Sequence, residues 1–215
     1  MMSRNDSNLD GQVISDFGEE WREYDQSDLP PAELGALFDG YFAVFPWHMI
    51  GESSVGMDVG CGSGRWASQV APRVGKLHCI DPSEEALAVA RRNLSALDNC
   101  VFHLADSDAI PIEDASLDFG YSLGVLHHIP NTELALGNCV RKLKEGAPFL
   151  VYLYYAFDNR PAWFRLLWRC TDLFRRQISR FPFSVKLVVT RVIAALVYWP
   201  LARFASLIAK CGCSV

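Results

Sequence analysis

From Ser53 onward, short apolar runs alternate with amphipathic ones. "SVGMDVG", "KLHCID", "NCVFHLAD", "LDFGYSLG" and "APFLVYLYY" are apolar stretches of strand length. Between them lie segments with helical spacing. "RWASQVAPRV" is the first. In "PSEEALAVARRNLSALD", Leu87, Ala90, Leu94 and Leu97 fall on one helical face. Ser83 caps its start, Glu84 and Glu85 sit at the positive end of the helix dipole, and Arg91 and Arg92 lie further along. "NTELALGNCVRKLKEG" has an Asn cap, basic residues in its last turn and Gly146 as its stop. Strands that alternate with helices predict an α/β fold. The expected form is a Rossmann-like, doubly wound, mostly parallel sheet of about five strands with right-handed crossovers. Runs such as "FLVYLYY" suit strands buried on both faces.

The flanks differ from this core. Residues 1–12 are polar and expected to be loose. "FGEEWREYDQSDLPPAELGALFDGYFAVFPW" is acidic, aromatic and broken by Pro30 and Pro31, and it reads as a helical preamble. After Asp158 the chain turns basic, aromatic and helical. The expected organisation is an N-terminal helical lid over 1–52, a core over 53–158, and a helical segment over 159–215.

Composition sharpens this division. The net charge of −5 hides a balance of −14 over residues 1–159 and +9 over residues 160–215. Segments so different in charge face different surroundings. The chain is 215 residues long and half hydrophobic, enough for one well-buried core. No apolar run follows the polar start, so no secretory signal is read. The seven cysteines show no CxxC pair and no ligand spacing; Cys211-Gly212-Cys213 is a lone CxC. Reduced thiols, no metal site and a cytoplasmic setting are expected.

The chemistry concentrates in "MDVGCGSGRWA", Met57 to Ala67. Glycines at alternate positions just after a strand let the backbone approach a ligand. In a parallel sheet that place lies beyond the C-terminal strand ends, where ligands bind. The next strand ends in Asp81, seventeen residues after Gly64, where a carboxylate can accept from ribose hydroxyls. Two ribose cofactors compete. The dinucleotide fingerprint wants a small residue where Arg65 stands, and Asp58 sits poorly beside a pyrophosphate. A cationic ligand suits Asp58 better. S-adenosylmethionine has a sulfonium, an ammonium and no phosphate.

Five motifs in order, "MDVGCGSG", "CIDPS", "LADSDAIP", "LDFGYSLGVLHHIPN" and "LKEGAPFLVYLYY", make residues 53–155 resemble a class I S-adenosylmethionine-dependent methyltransferase. The resemblance implies roles by position. Asp58 would help hold the methionine ammonium, through the loop or a water. Gly60, Cys61 and Gly62, with Gly64 closing the loop, would pass under the methionine moiety. Asp81 would take the ribose diol, and Pro82 and Ser83 the adenine edge. Asp106 would accept from the adenine amino group and Ser107 offer its N–H. Ser122 and Leu123 would present backbone to the methionine end. Arg65 reads as a solvated residue of the first helix turn, with the cofactor carboxylate as its alternative partner. Cys61 reads as a small residue, not a reactive thiol. His127 and His128 are the candidate bases, against a packing or substrate-lining role.

The fourth strand is followed by "SLGV", not an "NPPY"-like tetrapeptide, and the core lacks the basic, aromatic clustering of a nucleic-acid reader. A small-molecule or lipid-linked acceptor is expected. The preamble is similar to that of bacterial methyltransferases of natural-product and surface-glycan pathways, which makes Trp21 and Tyr24 lid candidates. Residues 160–210 are read either as a roof over the substrate pocket, the preferred reading, or as a surface resting on an anionic membrane from the cytoplasmic side. "VIAALVYWPLA" reads as too short to span a bilayer, with Pro200 kinking or ending its helix. The strand pair that usually completes such domains is missing from the pattern, so the chain reads as C-terminally shortened. Two alternatives stand beside methyl transfer. One is a shortened domain that binds cofactor or a partner without turnover. The other is an NAD-dependent oxidoreductase, which Arg65 disfavours. Oligomeric state is left open.

Overall fold

The computed structural model describes residues 8, 10–24, 30–154 and 157–210. Tyr155, the last residue of the fifth expected strand, and Cys211 and Cys213 lie outside the described residues. Residues 1–155 and 156–215 form two compact units.

The first unit is built on a five-stranded parallel sheet. Its strands are β1 (Val55–Val59), β2 (Lys76–Asp81), β3 (Cys100–Leu104), β4 (Phe119–Leu123) and β5 (Phe149–Tyr152), in the order β3-β2-β1-β4-β5. The central strand β1 is almost wholly buried. Gly56 is required there: a Cβ would lie 2.2 Å from the Phe119 ring on β4. One sheet face packs Phe38, Phe42, Trp66, Leu77, Leu87 and Tyr121; the other packs Met57, Ile80, Leu117, Leu126 and Cys139. Burial of such side chains, about 1.5–3 kcal/mol each, is the main stabilising term.

Helices α1 (Gly11–Glu23), α2 (Pro31–Tyr41), α3 (Ala67–Val70), α4 (Glu84–Asn93) and α5 (Thr132–Lys142) complete the unit. Asp10, Ser83 and Asn131 cap α1, α4 and α5 through side-chain oxygens that accept from backbone N–H groups. Asp10 and the buried Asn8 thus make part of residues 1–12 well fixed, against expectation.

Two helix ends also differ from the pattern. The first core helix is only one turn, Ala67–Val70, and continues as a 3-10 turn at Ala71–Arg73, because Pro72 cannot donate into an α-helix. Helix α5 stops at Lys142, well before Gly146. Leu143 turns extended to bridge Leu117, whose N–H donates to Lys142 O and whose carbonyl accepts from Lys144 N–H.

The second unit holds α6 (Ala162–Ile178), α7 (Phe183–Ile193) and α8 (Trp199–Lys210). A π turn at Ala194–Tyr198 joins α7 to α8 without a break. Pro200 neither ends nor interrupts this helix. The wider π turn just before it accommodates the missing N–H and the bulk of the ring. Residues 184–205 form a helical stretch long and apolar enough to cross a membrane by length and composition, longer than the eleven-residue run read from the sequence.

Candidate functional site

Strand order reverses between β1 and β4, so the loops after these two strands diverge and leave a crevice at their C-terminal ends. The glycine loop lies in that crevice. Gly60 N–H and Cys61 N–H both donate to Ile80 O, which ties the loop to the end of β2. Gly62 has φ +53°, and a Cβ on it would lie 2.8 Å from the Trp21 ring of α1. Glycine is needed there both for the left-handed backbone and for the close approach of the ring.

Asp81 organises this end of the cavity. Its Oδ2 accepts from Gly62 N–H at 2.9 Å and its Oδ1 from Ser83 N–H at 2.9 Å. One carboxylate therefore fixes both the glycine loop and the start of α4. Burial raises the Asp81 pKa, opposed by these two N–H groups. Each oxygen keeps a second lone pair for a ligand hydroxyl. At the end of β3, Asp106 Oδ1 accepts from Asp108 N–H (2.7 Å) and Ala109 N–H (3.0 Å), which holds the side chain at the cavity wall. Ser107 beside it is buried.

Helix α1 covers the cavity. Val13, Ile14, Phe17 and Trp21, one helical face, line it. Three contacts dock the helix. Asn8 and Asn131 exchange two hydrogen bonds, Nδ2 to O at 3.0 Å and N–H to Oδ1 at 2.7 Å. Gly18 packs so closely on Ser83 that a Cβ would lie 2.6 Å from its Oγ. Trp21 lies against Gly62. Phe17 also meets His128 edge-on at 4.9 Å.

The cavity changes character toward β4 and β5. His128 lines it, and His127 stacks behind, 4.1 Å from both His128 and Tyr154. Both ring nitrogens of His127 are buried without a hydrogen-bond partner among the described residues, and burial lowers its pKa. Tyr154, Tyr152, Tyr41 and Trp66 continue an aromatic row. Arg65 lines the cavity beside them, its guanidinium 4.2 Å from the Trp66 ring centroid. It is half-buried, not solvated as the sequence suggested, and its Nε has no partner among the described residues. Burial lowers its pKa.

Asp58 lies beneath the loop rather than in the cavity. Parallel pairing sets it between Cys79 of β2 and Tyr121 of β4. It is 1% exposed, and its Oδ2 and Tyr121 Oη have no bonded partner among the described residues. Burial pushes its carboxyl up to about 8, against the pull of the nearby Tyr121 hydroxyl and with help from Asp81.

Of the residues picked out from the sequence, Gly60, Cys61, Asp81, Pro82, Ser83, Asp106, Ser107, Leu123 and His128 line one cavity. Asp58, Gly62, Gly64, Ser122 and His127 do not. Ser122 is buried and donates from Oγ to Val59 O at 2.9 Å, joining β4 to β1. Of the two lid candidates, Trp21 lines the cavity, whereas Tyr24 is 47% exposed and does not. The lining residues Asn8, Asp10, Phe17, Gly124 and Val125 were not anticipated. The 13, 14, 17, 21 spacing of apolar residues was the available signal for α1.

The described residues contain no group of three His, Cys, Asp or Glu able to hold a metal. The family model described as "Methyltransferase domain" matches residues 57–151. The Caenorhabditis elegans sterol 4-C-methyltransferase strm-1 is 32% identical over 99 residues, 45% of this chain and 30% of that protein. The ubiquinone biosynthesis O-methyltransferase of Azoarcus sp. (strain BH72) is 28% identical over 151 residues, 67% of this chain and 62% of that protein. The chain thus spans less than two thirds of either relative's length. Among solved structures, a chain of the Haloferax volcanii complex that contains the Trm112 methyltransferase activator superposes with a TM-score of 0.54 at 24% identity, over 63% of this chain and 58% of that one. Five ordered motifs, the β3-β2-β1-β4-β5 parallel sheet and the match to the family model agree: residues 57–151 match a methyltransferase domain and are similar in sequence pattern and fold to the class I, S-adenosylmethionine-dependent methyltransferases.

Proposed function

We propose that this chain transfers the methyl group of S-adenosylmethionine to a small-molecule acceptor with an apolar or lipid-linked body. The observation that carries the reading is the change of character along one cavity under α1, from carboxylates (Asp81, Asp106) to aromatic rings (Phe17, His128). The residues present suit the cofactor. Asp81 has lone pairs left for two ribose hydroxyls, Asp106 an oxygen for the adenine amino group, and Gly60 and Cys61 a closely approachable loop surface for the methionine chain. The unpartnered Nε of Arg65 suits its carboxylate. When bound, S-adenosylmethionine supplies an electrophilic methyl on a sulfonium, so the protein's share is positioning and removal of a proton.

The acceptor would lie against Phe17 and His128, in the part of the cavity that α1 covers. His128, at the cavity wall, is placed to take the acceptor proton. His127, stacked behind it and kept neutral by burial, would fix its ring. The relatives named for sterol and ubiquinone methylation support an apolar acceptor.

Calorimetry with S-adenosylmethionine and with NAD tests the cofactor. Saturable binding of the first and none of the second is expected; the reverse would overturn the reading in favour of an oxidoreductase. Methyl-labelled cofactor incubated with extracted lipids and a panel of polar metabolites then tests turnover. Label in an apolar product is expected. Cofactor binding with no label in any product would leave a binding domain without turnover.

A further inference from the structure

We propose that residues 160–210 dock on an anionic lipid bilayer, with the helix from Phe183 to Lys210 lying in the plane of the membrane and α6 beside it. This goes beyond the proposed methyl transfer and does not depend on it.

The second unit wears its apolar side outward. On α6, Trp163, Leu166, Leu167, Leu173 and Phe174 share one face at helical spacing, and each is 55–72% exposed. The opposite face carries Arg165, Arg169 and Arg176, with Asp172 buried between Arg175 and Arg176 at 2.6–2.9 Å. The following helix repeats the arrangement. Residues 184–205 have a mean hydropathy of 1.6 in their most apolar window, and none of that window is buried. Leu196, Val197, Leu201 and Phe204 are each more than half exposed. Contiguous apolar surface of this extent on a charged protein marks a place of contact.

Charge selects the occupant. Residues 160–210 hold ten Lys and Arg and one acid, Asp172, from Arg160 to Lys210. Basic side chains beside Trp and Leu match the headgroup and acyl layers of an anionic membrane. Arg203 lies over the Trp199 ring at 4.7 Å, a pair suited to the headgroup boundary.

The π turn sets the orientation. At about 100° per residue, an unbroken α-helix would place Arg203 roughly 120° around from Arg191. The π turn at Ala194–Tyr198 takes in one extra residue, which removes one such step and leaves them about 20° apart. Ser184 and Trp199 fall within about 20° of Arg191 on the same count. Arg191 and Arg203 therefore fall on one stripe of the joined helix, and most of its remaining surface is apolar. Lys186 lies off the stripe and is half-buried. A spanning helix has no use for this alignment. It would also draw charge inward: twelve residues separate Arg191 from Arg203, about 18 Å of helix, well short of the ~30 Å hydrocarbon core. Lying flat, both guanidinium groups stay among the headgroups.

The test uses the full chain with extruded vesicles of phosphatidylcholine alone or mixed roughly three to one with phosphatidylglycerol. Sedimentation with the anionic vesicles at least ~10-fold tighter than with neutral ones is expected, weakened by high salt. Brominated lipid should quench tryptophan emission in the unaltered chain. Insertion of one alanine between Leu201 and Ala202, beyond the π turn, would turn Arg203 about 100° further around from Arg191 and should cost roughly tenfold in vesicle affinity. Ala195→Ser, which keeps the π turn, should cost nothing. Circular dichroism of both variants checks that the helices persist. Equal binding to neutral vesicles, or carbonate-resistant membrane integration indifferent to the added alanine, would overturn the in-plane reading. Absence of vesicle binding and of lipid quenching, with self-association in the ultracentrifuge, would assign the face to a second copy instead.

Discussion

Replacing Asp58 by asparagine removes a charge that the fold suppresses. Asp58 is 1% exposed on the central strand, and its carboxyl is pushed up to about 8 from an ordinary 3.8. In the unfolded chain it titrates near 3.9. Between these values the native state binds a proton that the unfolded state lacks. The stability from Asp58 is therefore full below about pH 4 and is lost as pH rises through about 8. At 1.36 kcal/mol per pH step, the loss reaches about 4 kcal/mol by pH 7 as a ceiling. Water entry and local relaxation reduce it, so about 1–3 kcal/mol is the working expectation. The asparagine side chain keeps the shape without the charge, and Tyr121 Oη, itself unpartnered among the described residues, is available to its amide. Urea unfolding of parent and Asp58→Asn, without cofactor, at several pH values from 4.5 to 7.5 reads the difference between them. Other titrating groups cancel in that difference. It should move in the variant's favour as pH rises. A constant offset across the range would refute the claim that Asp58 is held protonated.

Three further outcomes are expected. Asp81→Ala removes the acceptor for Gly62 N–H and Ser83 N–H as well as the ligand contact, so its cofactor Kd by calorimetry should rise ~100-fold; an unchanged Kd would exclude Asp81 from the site. Gly62→Ala puts a Cβ into a left-handed backbone 2.8 Å from Trp21, and should cost about 1–2 kcal/mol in thermal melts while weakening cofactor binding. Asn8→Ala deletes two hydrogen bonds, worth about 1–2 kcal/mol together, and should speed amide exchange across Gly11–Glu23; equal protection in both proteins would show that the pair does not hold the helix.

The central layer was legible because its signals are local. Strand-ending acids, alternating glycines and caps such as Ser83 and Asn131 act within a few residues, and the sheet follows from their order. What the sequence hid depends on distant partners. The Asn8–Asn131 pair joins residues 123 apart. Arg65 looks like a solvated helix residue until Trp66 is seen beneath its guanidinium. The burial of Asp58 was hidden too: its place before the glycines suggests a hold on the cofactor through the loop or a water, but only the parallel register shows it beneath the loop between Cys79 and Tyr121. Helix ends were misjudged where tertiary contacts override propensity. Gly146 invited a stop that the Leu117–Leu143 bridge imposes earlier, and Pro200 invited a break that the π turn absorbs.

The docking of α1 has a kinetic meaning. Its thirteen residues are fastened near the start by Asn8, in the middle by Gly18 and near the end by Trp21. A cofactor beneath it leaves by that face only after all three fastenings part. Its residence time would then follow how often the helix lifts as well as how tightly Asp81 would hold a ribose. Arrival is throttled in the same way, since only the open fraction of molecules admits a ligand. Product exchange rather than methyl transfer would then set the pace of turnover.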